Sequence, residues 1–271
     1  MKQFKIGLQL YSVREDIAKD LVGTLKAVKA AGYDYVESAG TGFYGLSASE
    51  AKALLDEIGL TLISVHSTCV TDENLALLQS LGVKNFTIPY YGIDNYKNDL
   101  EGSLAYFNEC AEKVQKYGMR LFYHNHDFEY EEIDGKRIID RVFTETNEGA
   151  IAPQFDVCWV TYGGASPAEY IKKYAYKSMT MAHLKDFTCK GAVKGAVYEL
   201  IEGGEVKKSK EENLFRFRPV GQGVVDFGAV LAAAEDAGID VLIVEQDQSY
   251  ETPALEAVRQ SREYLKNTFG L

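Results

Sequence analysis

Short apolar runs and amphipathic stretches alternate along this chain from one end to the other. Residues 4–10 are mostly apolar and read as a buried strand, with Gln9 and Tyr11 on one face at its end. Asp16 can cap the helix that follows, whose apolar positions Ile17, Leu21, Leu25 and Val28 fall at helical spacing before Gly32 ends it. The same unit then repeats. Further strands are predicted over 33–37, 60–66, 84–88, 119–124, 151–156, 179–183 and 241–245. Helices are predicted over 47–58, 72–81, 99–117, 138–148, 166–174, 226–237 and 253–266. Gly59, Gly82, Gly118 and Gly238 stop four of them, and Pro167 suits the first position of another.

Strands that alternate with helices over short connections give a parallel sheet, because each crossover needs a helix. Eight such units predict an α/β protein, a closed (β/α)8 TIM barrel, as one domain over residues 1–271. An open doubly wound sheet would want a Gly-x-Gly-x-x-Gly turn after an early strand, and the chain has none there. Residues 187–220 break the rhythm after the seventh strand and are expected to form an insertion that closes the site or meets a second copy of the chain.

In such a barrel the chemistry sits at the C-terminal ends of the strands. Those ends carry Gln9, Glu37, His66, His124 and His126, Asp156, His183 and Lys185, then Glu245 and Asp247. All four histidines of the protein are among them. Taken one at a time, each has a structural explanation, such as a loop cap for Asp156 or an ion pair of Glu245 with Lys185. Taken together, a histidine of the His124/His126 pair with Asp156, His183 and Glu245, from strands five to eight, predicts a divalent-metal site, since ionisable groups in buried strands need a partner or an ion.

The charge balance narrows the partners. The 271 residues carry a net charge of −11, which disfavours a nucleic-acid partner. The one basic run, Lys207-Lys208-Ser209-Lys210, is followed directly by Glu211 and Glu212. The cysteines Cys69, Cys110, Cys158 and Cys189 form no Cys-x-x-Cys pair, and no leader-like or membrane-spanning run is visible, so a cytoplasmic protein with no membrane partner is expected.

Several segments resemble the xylose isomerase-like TIM barrel superfamily, in particular its sugar phosphate isomerase/epimerase group. They are Gly7-Leu8-Gln9-Leu10-Tyr11-Ser12, residues 123–129 (Tyr-His-Asn-His-Asp-Phe-Glu), Phe155-Asp156-Val157-Cys158-Trp159, His183-Leu184-Lys185-Asp186 and residues 221–227 (Gly-Gln-Gly-Val-Val-Asp-Phe). The resemblance covers essentially the whole chain. It implies a divalent ion, manganese first with zinc, cobalt or magnesium as alternatives, held by residues of strands five to eight. Asp156, His183 and Glu245 match the family's positions. His124 stands where a glutamate is usual, with His126 as the fallback, and Trp159 stands where ketose 3-epimerases carry a histidine.

The expected activity is that of a sugar isomerase or epimerase, moving a proton next to the carbonyl of a keto-sugar or polyol. The alternative is an inosose- or keto-sugar-type dehydratase through the same enolate. Trading a carboxylate for a neutral imidazole makes the ion a stronger Lewis acid, which suits enolate chemistry. Glu245 is the expected base, Lys185 the expected proton donor or oxyanion partner, and His126 a further catalytic group. Gln9, Glu37, His66 and Trp159 are expected to bind an unphosphorylated sugar or inositol derivative, Trp159 by stacking. Glu129 is expected to orient a histidine. A homo-oligomer is compatible with all of this.

Overall fold

The computed structural model describes residues 2–40, 42–189 and 215–271. Eight parallel strands form the barrel: β1 (Lys5–Gln9), β2 (Tyr35–Ala39), β3 (Thr61–His66), β4 (Asn85–Ile88), β5 (Arg120–His124), β6 (Ala152–Gln154), β7 (Met181–Leu184) and β8 (Val241–Val244). They are ordered β6-β5-β4-β3-β2-β1-β8-β7, and a parallel bridge between Asp156 and His183 joins the two outer strands. The His183 amide donates to the Phe155 carbonyl at 2.8 Å across this seam. Helices cover the outside, as the alternating pattern predicts.

Two differences from the sequence reading have local causes. The helix expected from Asp16 onward is two helices, Arg14–Lys19 and Leu21–Ala30, because the Asp20 side chain accepts from Gly23 and caps a fresh start. A further short helix, Val157–Tyr162, begins directly after Asp156, whose Oδ1 accepts the amides of Cys158 at 2.9 Å and Trp159 at 3.2 Å. Most of the 187–220 insertion lies outside the described residues. Its base is described: Asp186–Thr188 pairs antiparallel with Arg216–Arg218.

Inside the barrel, an apolar plug of Phe122, Ala152, Met181, Val241 and Ile243 fills the lower layer. The layer above it is polar. Register places Gln9 beside Glu37 and Glu37 beside Ser64. A bulge at Ile63 in β3 makes the last contact, because the extra residue turns Ser64 towards Glu37.

The Gly-x-Gly segment after the insertion has a structural task. The Asp186 carboxylate accepts backbone N–H groups from Phe187, Gly221, Gly223 and Val225 at 2.8–3.1 Å, so the loop wraps around it. A Cβ on Gly223 would run into Asp186 Oδ1 and the Phe187 carbonyl, and only glycine fits. Gly223→Ala is therefore expected to lower the melting temperature by several degrees, whereas an alanine at Gly82, which has open space but a positive φ, should cost about 1 kcal/mol.

Candidate active site

The strand ends converge as the barrel demands. One ligand-capable atom from each of His124, Asp156, His183 and Glu245 lies within 4.8 Å of the others, and all four residues are buried. His66, His124 and His183 form an overlapping group of the same kind. His126 joins neither group. Its ring lies 5.4 Å from that of His124 and is stacked on Phe128.

Each ligand candidate is fixed by its surroundings. Asp156 Oδ1 caps the short helix, while Oδ2 is buried and turned towards the other candidate ligands. That oxygen lies 3.7 Å from His124 Nε2 and 3.1 Å from the Lys185 ammonium. The Asp156 backbone is pinned by the Asn125 side chain, which accepts its N–H at 3.0 Å. Both ring nitrogens of His183 meet carboxylates: Nδ1 is 2.9 Å from Glu245 and Nε2 is 2.7 Å from Glu37. Lys185 is almost fully buried and faces three carboxylates, Asp156 at 3.1 Å, Glu245 at 2.9 Å and Asp247 at 3.0 Å.

This crowding sets the protonation states. Burial works against charge on Glu245, but Lys185 and His183 hold its carboxyl well below the usual range. Burial also opposes charge on His183, yet Glu37 and Glu245 push the imidazole up to about 10. Lys185 is likewise kept charged by Asp156, Asp247 and Glu245 against its burial. The other imidazoles at this end behave oppositely. Burial, with Lys185 nearby, brings His126 down to about 3, and burial with His183 nearby lowers His124. Asp247 is pushed up to about 6 by burial and the Glu245 charge, against the pull of Lys185.

These groups open into a cavity of about 400 Å³, which suits a small polyol. Gln9, His66, His124, His126, Lys185, Glu245 and Asp247 line it, together with Tyr11, Tyr90, Ser67 and Thr68. Among the described residues, Lys185 is the only lysine or arginine in that lining.

Two expected substrate contacts are placed elsewhere. Trp159 is wholly buried, with Phe215 stacked on it at 5.6 Å, Phe217 edge-on, and His126 and Lys185 at 5.5 and 5.4 Å, so the indole lies behind the residues that line the cavity. Glu37 is also wholly buried, beneath the cavity floor. Glu129 reaches the histidine loop through the main chain: it accepts the His126 N–H at 2.8 Å and the Tyr123 hydroxyl at 2.5 Å. Two useful residues were under-weighted in the sequence. Asp247 grips Lys185 with both oxygens, and Asn125 ties Asp156 to the fifth-strand loop. The first could have been found from its spacing to Glu245; nothing local flags the second.

Burial pushes the Glu129 carboxyl up from 4.5 to about 8. Its proton is therefore held in the folded chain and released in the unfolded one across that window, so this group makes stability fall as pH rises from about 4.5 to about 8. Glu129→Gln should remove a slope of about 1.4 kcal/mol per pH unit, read as the difference between the two proteins' denaturation curves at several pH values.

The donor set of two imidazoles and two carboxylates suits a divalent ion of the manganese, cobalt or zinc kind. The buried Asp156 Oδ2 faces His124 Nε2 at 3.7 Å and the Lys185 ammonium at 3.1 Å, a position that a cation suits, and the two carboxylates balance such an ion's charge. The residues present therefore fit the metal.

The family described as xylose isomerase-like TIM barrel matches residues 25–268, and the chain belongs to it. An inosose dehydratase of Clostridium botulinum is 26% identical over 162 residues, 59% of this chain and 51% of that protein. The chain thus spans about half the length of the curated relatives it matches. Among solved structures, a sugar phosphate isomerase/epimerase from Parabacteroides distasonis superposes with a TM-score of 0.75 at 21% identity, covering 98% of this chain and 94% of that one. The IolI protein with a bound zinc atom superposes with a TM-score of 0.68 at 15% identity, covering 97% of each. These structural likenesses show the shared fold. No helix among the described residues is long and apolar enough to cross a membrane.

Proposed function

We propose that this protein removes water from an unphosphorylated keto-polyol of the inosose kind, with a divalent ion held by His124, Asp156, His183 and Glu245. The observation that carries the reading is the 2.9 Å contact between Glu245 Oε2 and Lys185 Nζ at the wall of one cavity, a base and an acid within direct proton reach. The ion, when bound, would polarise the ketone and stabilise the enolate beside it.

The remaining steps belong to the side chains. Glu245 takes the proton from the carbon next to the carbonyl. The hydroxyl on the following carbon departs with the Lys185 proton as water, and a carbon–carbon double bond forms. The proton on Glu245 then passes to Lys185, and the pair is reset. His126 and His66, both on the cavity wall, hold the substrate's hydroxyls, and Gln9 presents an amide whose orientation is fixed by Glu37 and the Tyr11 N–H.

Three features favour elimination on an uncharged substrate. A 3-epimerase of this family works with two metal-bound glutamates, and here an imidazole takes the place of one. The curated relatives are inosose dehydratases. Among the described residues the one ammonium in the cavity lining is held by three carboxylates, which disfavours a phosphate beside it.

The test is incubation of the metal-loaded protein with keto-inositols and ketoses in heavy water. An unsaturated ketone supports dehydration. A rearranged sugar carrying solvent deuterium would establish isomerisation instead. Chelation is expected to abolish turnover and to lower the melting temperature, and manganese, cobalt or zinc to restore both.

A further inference from the structure

Glu37 was expected to touch substrate, but its surroundings leave it no room to do so. Its Oε1 faces Gln9 Nε2 at 2.8 Å, His66 Nε2 at 2.9 Å and His183 Nε2 at 2.7 Å. Its Oε2 accepts Ser64 Oγ at 2.5 Å and Gln154 Nε2 at 2.8 Å. Four donors, with a share of His66 Nε2, which also lies 2.8 Å from Gln154 Oε1, fill a carboxylate with about four lone-pair sites. It is 0% exposed and does not line the cavity.

We infer that Glu37 is a positioning residue for the metal centre: by accepting the Nε2 proton of His183 it turns that ring's Nδ1 to the ion. This rests on the metal reading above. Nδ1 is the nitrogen that lies beside Glu245 Oε2, at 2.9 Å, as two ligands of one ion would. A carboxylate behind a ligating histidine fixes its tautomer and strengthens it as a donor. The other donors explain why the carboxylate is so firmly held. They come from β1, β3 and β6, so the orientation of His183 is set by the barrel itself and not by a loop.

Histidine in this chain is scarce enough to observe directly. Protein labelled with nitrogen-15 in its four histidines and loaded with zinc should show His183 protonated on Nε2, with Nδ1 carrying the metal shift. Zinc on His183 Nε2 would overturn the inference, and this measurement needs no variant. In Glu37→Gln the amide meets at least one donor with its own NH2 whichever way it is turned, so zinc affinity measured by calorimetry should fall about 10–100-fold. Ser64→Ala removes one of the donors that hold Glu37 but keeps the contact of Glu37 with His183, so zinc affinity should fall clearly less than in Glu37→Gln, and an equal fall would overturn the inference. Unchanged affinity in Glu37→Gln would also overturn the inference. A wild-type protein that takes up no zinc overturns the metal reading itself, and does so before any variant is made.

Discussion

Lys185→Met is expected to cut turnover by about 10²–10⁴-fold, the usual worth of a positioned proton donor. It also strips Asp156, Glu245 and Asp247 of the ammonium they share, leaving the His183 imidazole beside Glu245 alone. Removing one partner of a buried ion cluster costs about 3–5 kcal/mol, so the metal-free variant should melt well below the wild type. A divalent ion should recover more of that loss in Lys185→Met than it adds to the wild type, because it takes over the missing positive charge. Lys185→Arg separates the two roles. Arginine restores a cation but does not release its proton, so part of the stability should return while turnover does not. Turnover in Lys185→Met near the wild-type rate would remove the lysine from the reaction.

Asp186→Ala should be the most damaging change to the fold outside the cavity. It strands four backbone N–H groups that the carboxylate now accepts, from Phe187, Gly221, Gly223 and Val225. Charge-assisted bonds of this sort are worth about 1.5–3 kcal/mol each, although water can reach some of these donors once the loop loosens. A net loss of about 3–5 kcal/mol is expected, read as a fall of roughly 6–20 °C in melting temperature. Asp186→Asn keeps one acceptor oxygen and should lose about half as much. If Asp186→Ala melts with the wild type, the loop is held by something other than this carboxylate.

The barrel was legible because its periodicity is strong. Eight apolar runs, each followed by an amphipathic stretch, leave little choice of topology, and the rule that places chemistry at strand ends then drew His124, Asp156, His183 and Glu245 into one group. What stayed hidden depended on contacts distant in sequence. Trp159 looked like a sugar platform because nothing near it in the chain says that Phe215 and Phe217 fold back over it. Glu37 looked like a substrate ligand because its donors come from separate strands, and a bulge at Ile63 supplies one of them. The short helix at Val157 was missed because its cap is a residue already assigned to the metal, and a carboxylate has two oxygens to divide between tasks.

The seam between β6 and β7 carries a consequence for how this protein holds together. The two outermost strands meet through a bridge whose members are Asp156 and His183, both candidate ligands. An ion held at that point would act as a clasp on the cylinder, fastening its thinnest join. Amide hydrogen exchange along β6 and β7 should therefore slow on loading more than it does in β3 or β4, so that filling the centre and shutting the wall become a single event.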